Sequence, residues 1–182
     1  MTSVLFTDGS SSLRSGKCGW AVIGRFPCPL CQRAGGAFAD CRACNGYGVR
    51  EIKRCGFGDG SNQLAELIAL VYAMRLAPKD SPTIIVSDSE YSIKSVTFWR
   101  KRWETSSPPY TNYMGKPIAY AELVKYSHRL HDEKPLITFQ HVRGHTGVEG
   151  NELADALCRS ARYVAEGREP LANLGDMLVR EF

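Results

Sequence analysis

Val4-Leu5-Phe6-Thr7-Asp8-Gly9 and Ile84-Ile85-Val86-Ser87-Asp88-Ser89 are built alike: three apolar residues, a hydroxyl residue, then an aspartate. Each reads as a short buried strand with an acid at its carboxyl end. In open α/β sheets that end is where ligands gather. An aspartate after a strand is also an ordinary turn former or helix N-cap, so one such pattern decides little. Its recurrence favours a site.

Working outward, Ser3 to Asp8 is the first strand and Gly16 to Arg25 the second, joined by a polar Ser/Gly loop. Residues 26–48 change character, with four cysteines and little apolar periodicity, and read as an insertion held by something other than a core. Val49 to Phe57 resumes as a strand. Ser61-Asn62-Gln63 opens a helix whose Leu64, Leu67, Ile68, Val71 and Met74 keep helical spacing until Pro78 closes it. Thr83 to Ser87 is a strand, Ser89 to Trp103 a helix, Thr105 to Pro117 a loop, and Ile118 to about His131 a helix. Leu136 to Val142 is a strand and Gly150 to about Ala165 a helix. Glu169 to Phe182 stays unassigned. This order, βββαβααβα, predicts an α/β fold with a mixed sheet, one domain over residues 1–182 containing the insertion.

With 182 residues, 43% of them apolar and 10% aromatic, the chain can bury a core, which excludes disorder. No apolar run approaches the roughly 18 residues of a membrane span, and Val4-Leu5-Phe6 running into Asp8 is no signal-peptide core. A soluble, cytoplasmic protein is expected, with its seven cysteines kept as thiols. The net charge of +4 points weakly toward polyanions.

Two further acids share the character of Asp8 and Asp88. Glu66 lies in an otherwise apolar helix, on the face of Asn62 and Gln63, and Asp155 follows Asn151 by four residues. Taken singly, each is more often solvated surface. Four convergent carboxylates would repel one another unless cations neutralised them, and an all-oxygen site suits Mg²⁺ or Mn²⁺.

Phe6-Thr7-Asp8-Gly9-Ser10, Asn62-Gln63-Leu64-Ala65-Glu66-Leu67, Ser87-Asp88-Ser89-Glu90-Tyr91, and Val142-Arg143-Gly144-His145-Thr146-Gly147 with Gly150-Asn151-Glu152-Leu153-Ala154-Asp155 resemble the four active-site blocks of type 1 ribonuclease H, in that family's order. The resemblance implies a five-stranded sheet of order 3-2-1-4-5 and endonucleolytic cleavage of the RNA strand of RNA–DNA hybrids. It implies that Asp8, Glu66, Asp88 and Asp155 hold two ions, roughly 3.5 to 4 Å apart, which activate water and stabilise the leaving 3′ oxygen. His145 would assist proton transfer or product release. Gly9, Ser10, Asn62, Gln63 and Asn151 would lie against the substrate, the first four near 2′-hydroxyls.

Trp99, Arg100, Lys101 and Trp103 belong to a cationic stretch between tryptophans, suited to phosphate contact and stacking, and it corresponds loosely to the family's basic protrusion. A solvated helix face with one core tryptophan is the plainer alternative. A nuclease of other substrate preference, or a hybrid-binding module whose insert recruits a partner, remains the rival reading. A monomer is expected.

Cys28-Pro29-Leu30-Cys31 and Cys41-Arg42-Ala43-Cys44 form two CxxC pairs nine residues apart, a spacing that suits one tetrahedral, structural Zn²⁺. The second pair continues as Asn45-Gly46-Tyr47-Gly48 and resembles the CxxCxGxG repeat of DnaJ-type co-chaperones, which implies zinc and not chaperone activity. Zinc would supply the folding energy that so small an insert lacks. Whether Arg25, Arg33, Arg42 and Arg50 let it grip nucleic acid or a protein partner stays open.

Overall fold

The computed structural model describes residues 2–179. Five strands form one sheet: β1 (Ser3–Ser11), β2 (Lys17–Pro27), β3 (Val49–Asp59), β4 (Thr83–Ser87) and β5 (Ile137–His141). Their order is β3-β2-β1-β4-β5, as the resemblance implied. β1 runs antiparallel to β2 and parallel to β4, and β3 and β5 are the edges.

Strand alternation divides the core in two. From β2, Trp20 and Val22 join Leu5 and Ile85 under α2 (Asn62–Leu76), whose Leu67, Leu70 and Met74 are fully buried. Burial of each such side chain contributes about 1.5–3 kcal/mol. Ala21 and Ile23 face the other way, onto Ala154, Leu157 and Ala161 of α6 (Glu149–Ala165). Ser61 caps α2 by accepting a bond from the Leu64 N–H (3.2 Å), and the helix stops just before Pro78. α5 (Ala121–Glu133) packs outside α2 and places Val124 and Leu130 in the first core.

The helix expected over Ser89–Trp103 is broken. It becomes α3 (Glu90–Val96) and α4 (Arg100–Glu104). The Thr97 hydroxyl bonds back to the Ile93 carbonyl at 2.8 Å while the Trp99 N–H reaches the Lys94 carbonyl at 2.9 Å. That wider turn swings Arg100 onto α5, where its guanidinium grips Asp132 with two bonds of 2.8 and 2.7 Å. The helix expected from Ile118 starts three residues later, because the Ile118 N–H is taken by the Tyr110 carbonyl and Tyr120 turns into the left-handed region at φ 56°. In the tail, Gly175–Met177 forms a 3₁₀ turn, and the Val179 N–H bonds to the Cys55 carbonyl (2.7 Å). The last three residues of the Glu169–Phe182 segment lie outside those described.

Between β2 and β3 the chain makes α1 (Pro29–Arg33) and a series of turns around four buried cysteines. No helix among the described residues is long and apolar enough to cross a membrane.

Candidate active site

The parallel ladder between β1 and β4 ends at the pair Thr7–Ser87. Asp8 and Asp88 are the next residues on each strand, so they stand side by side where the two strands part. β1 nevertheless runs on to Ser11 against β2, three residues further than expected, which fixes the backbone of Asp8 through Ala21. Gly9 lets α2 come down on this point: a Cβ there would stand 2.3 Å from the Glu66 nitrogen. Any side chain at position 9 would push α2 away and take Glu66 with it. On the opposite side, a Cβ on Gly150 would enter the Phe6 ring at 2.3 Å, so the first turn of α6 also lies tight on β1, and Asp155 follows one turn later.

Asp8, Glu66, Asp88 and Asp155 line one open cleft of about 360 Å³ together with Gly9, Ser10, Asn62, Gly144 and His145. A larger hollow of about 580 Å³ lies beside α6, but its walls are mainly apolar and gather no acid cluster. Burial, and after it the charge of Asp88, pushes the Asp8 carboxyl up to about 8, despite a bond from the Gly9 N–H. Burial also raises Glu66, with the Ser89 hydroxyl acting in the opposite sense through its hydrogen bond. Among the described residues, only Arg159 pairs with any of the four acids, reaching Asp155 at 3.5 Å. Crowded carboxylates with so little cationic compensation fit hard divalent cations.

Hydrogen bonds fix the acids in place. The Asn62 amide donates to Glu66, and Ser89, the N-cap of α3, ties the other Glu66 oxygen. Asn151 is expected against the substrate, yet it is 2% exposed, and its amide donates to Asp88 Oδ2 at 3.2 Å. It holds an acid instead of facing outward. Asn151→Asp would bury a second carboxylate against Asp88 and should lower the thermal midpoint of the metal-free protein by at least about 5 °C. An unchanged melting curve would refute that placement.

His145 is 76% exposed, adopts φ 54°, and has its Nδ1 3.9 Å from Glu152 Oε2. Glu152 stands in the fourth motif block but the sequence reading gave it no role, although it lies three residues before Asp155, on the same helical face. His145, Glu152 and Asp155 offer ligand atoms within 4.8 Å of one another. Gln63 is exposed and does not line the cleft. In the tryptophan stretch, Trp99 stacks between Tyr91 and Trp103 at 5.6 and 5.5 Å. Lys101 and Arg102 are exposed, but Arg100 is committed to Asp132 and Glu104, so Arg102 takes its place on the aromatic groove.

The four sulfurs of Cys28, Cys31, Cys41 and Cys44 lie within 4.8 Å of one another. Tetrahedral thiolates at a Zn–S distance of ~2.3 Å stand about 3.8 Å apart. The Cys28–Cys41 and Cys31–Cys44 separations are 3.7 and 3.4 Å, so the donor set fits zinc. The Cys31 N–H draws the Cys28 thiol down to about 7 against the opposing effect of burial. Asp8 pairs with Ala21 and Pro27 with Val49, so about six strand residues, or roughly 20 Å, separate the carboxylates from the start of this cluster.

The family model for RNase H matches residues 1–163. The chain belongs to the RNase H family. A ribonuclease H of Cyanothece sp. is 31% identical over 175 residues, spanning 92% of each chain. One from Roseobacter denitrificans is 30% identical over 158 residues, covering 85% of this chain and 91% of that one. Among solved structures, LC9-RNase H1, a type 1 RNase H with the type 2 active-site motif, superimposes with a TM-score of 0.68 at 19% identity, over 93% of this chain and 74% of that one. The PFV RNase H domain does so with a TM-score of 0.62 at 25% identity, over 89% and 94%. In the foamy viral protease-reverse transcriptase bound to an RNA/DNA hybrid, this RNase H chain matches one fifth of the length, with a TM-score of 0.64 at 22% identity.

Proposed function

We propose that Asp8, Glu66, Asp88 and Asp155 form the centre of a ribonuclease H that cuts the RNA strand of RNA–DNA hybrids, leaving 5′-phosphate and 3′-hydroxyl ends. The observation that carries this reading is the convergence of four acids at the end of the β1–β4 ladder, in a chain of the RNase H family. The four would hold two Mg²⁺ or Mn²⁺ ions, which when bound supply an activated water and neutralise charge on the leaving oxygen. The protein's own part is to aim these oxygens: Asn62 and Ser89 fix Glu66, and Asn151 fixes Asp88. His145, exposed on its loop, exchanges a proton between the cleft and solvent.

Gly9, Ser10 and Asn62 lie along the cleft where 2′-hydroxyls of the RNA strand pass, with Gln63 just outside it. Trp99, Trp103, Lys101 and Arg102 meet phosphates and sugars farther along the duplex. Setting the four acids aside leaves 23 cations against 15 other acids, a surplus of +8 that favours a polyanion. Cys28, Cys31, Cys41 and Cys44 hold one structural Zn²⁺, and residues 26–48 are an insertion within a single domain. The protein acts as a monomer in the cytoplasm, where its thiols stay reduced.

Incubation with Mg²⁺ and, separately, matched hybrid, double-stranded RNA, double-stranded DNA and single strands should yield 5′-phosphorylated fragments from the RNA of the hybrid alone. Binding of hybrid without cleavage would mark a binding module, and cleavage of another substrate first would mark a different nuclease. Hybrid affinity should fall steeply with salt.

A further inference from the structure

Two residues beyond Asp8, and on the same face of β1, Ser10 lines the cleft. Its Oγ accepts a hydrogen bond of 3.1 Å from the Nε–H of Arg162, near the end of α6. A hydroxyl has one proton and two lone pairs, whereas a guanidinium only donates. Arg162 therefore occupies a lone pair of Ser10 and leaves the hydroxyl proton for another acceptor. Among the described residues nothing accepts it. A charge-assisted bond also polarises the hydroxyl and makes it a stronger donor.

Arg162 is itself tightly held. Its Nη1 donates to Glu166 Oε1 at 3.0 Å, and the same carboxylate receives bonds from the Ser15 hydroxyl (2.8 Å) and Arg168 Nη1 (3.0 Å). These partners, the Ser15 hydroxyl foremost, take the Glu166 carboxyl down to about 2. Gly19 makes room for the arrangement: a Cβ there would lie 2.6 Å from the Arg162 nitrogen. The end of α6 is thus clamped to both ends of the β1–β2 turn.

We propose that Arg162 is a positioning residue that fixes the Ser10 hydroxyl as a hydrogen-bond donor to a 2′-hydroxyl oxygen of the RNA strand. This rests on the cleft being the hybrid site proposed above. Deoxyribose offers no acceptor at that position, so the pair contributes to telling RNA from DNA.

The test is steady-state cleavage by wild type, Ser10→Ala, Arg162→Ala, Arg162→Lys and the double alanine variant. The substrates are hybrids in which a single 2′-deoxy substitution is walked along the RNA strand, with a parallel series of single methylphosphonates. Ser10→Ala and Arg162→Ala should each raise KM about fivefold to tenfold, the scale of one lost hydrogen bond, and the double variant should be no worse. One 2′-deoxy position that penalises wild type should become silent in both variants. Arg162→Lys, which still donates, should recover part of the loss. A wild-type KM and 2′-deoxy profile in Arg162→Ala, additive effects, or a change confined to the methylphosphonate series would each overturn the proposal while leaving the hybrid reading intact. Should Arg162→Ala fail to fold, Ser10→Ala leaves the Glu166 network whole, and an unaltered 2′-deoxy profile there overturns the proposal equally. Failure of wild type to cleave any hybrid would remove the reading on which it rests.

Discussion

Asp8→Asn should lower hybrid cleavage by about a thousandfold or more while making the metal-free protein harder to unfold. Both effects have one cause. Asp8 is buried beside Asp88, and its carboxyl is pushed up to about 8 from an ordinary 3.8. Between those values the folded metal-free protein keeps a proton that the unfolded chain releases. The contribution of this carboxyl to stability is therefore greatest below pH 3.8 and declines as pH rises toward about 8. Asparagine fills the same space without that cost, so the thermal midpoint at pH 8 should rise by at least about 5 °C and this part of the pH slope should flatten. On the proposed two-ion site, Mg²⁺ should raise the midpoint of wild type more than that of Asp8→Asn. Melting curves at pH 5, 6.5 and 8, with and without Mg²⁺, check the second effect. A variant retaining a tenth of wild-type cleavage, or an unaltered pH slope, would contradict this account of Asp8.

Cys28→Ser/Cys41→Ser should reduce zinc from about one atom per chain to none and open the segment between Pro27 and Val49 to proteases. The four cysteines are the only buried cluster in that segment, so without a metal nothing else there offers a core. Apparent zinc affinities for such sites are of order 10–16 kcal/mol, far above what a few turns could gain from packing. The effect should stay local, because roughly 20 Å of paired β2 and β3 stands between the cluster and the carboxylates. Metal analysis and limited proteolysis read the two consequences, and a strong chelator should reproduce the second in the unaltered protein. Unchanged zinc content in the double variant would rule out the four-thiolate site.

The strands bearing Asp8 and Asp88 were legible because local pattern alone specifies them: apolar runs ending in a polar break. Which acids meet came from the resemblance to type 1 ribonuclease H, since strand ends and helical spacing place each acid within its own element but not opposite the others. The break at Thr97 to Trp99 was not legible, since no glycine or proline marks it and the Thr97 hydroxyl adds a second bond to the Ile93 carbonyl just where the ladder widens to Trp99–Lys94. Arg100 looked like one of three free cations because the partner that takes two of its bonds, Asp132, lies 32 residues away, although Glu104 at i+4 was in view. Asn151 looked accessible for a similar reason: its burial is created by β1 and by Asp88, neither of which is near in sequence. Ser89 was read as part of the helix it begins, and its second bond, to Glu66, appears only when α2 and α3 are side by side. Glu152 was overlooked although its spacing from Asp155 was visible throughout.

The small contact between the tail and β3 bears on how the molecule coexists with other copies of itself. β3 is an eleven-residue strand at the rim of the sheet, and an uncovered rim of that length is a template on which another chain can add. Leu178 and Val179 occupy part of it at Cys55, while Arg50, Lys53 and Arg54 charge the rest. Both tail residues lie past 163, where the match to the family ends. Trimming to that boundary would bare the Cys55 stretch of β3 to other copies, and would also remove Glu166, the partner that holds Arg162 against Ser10.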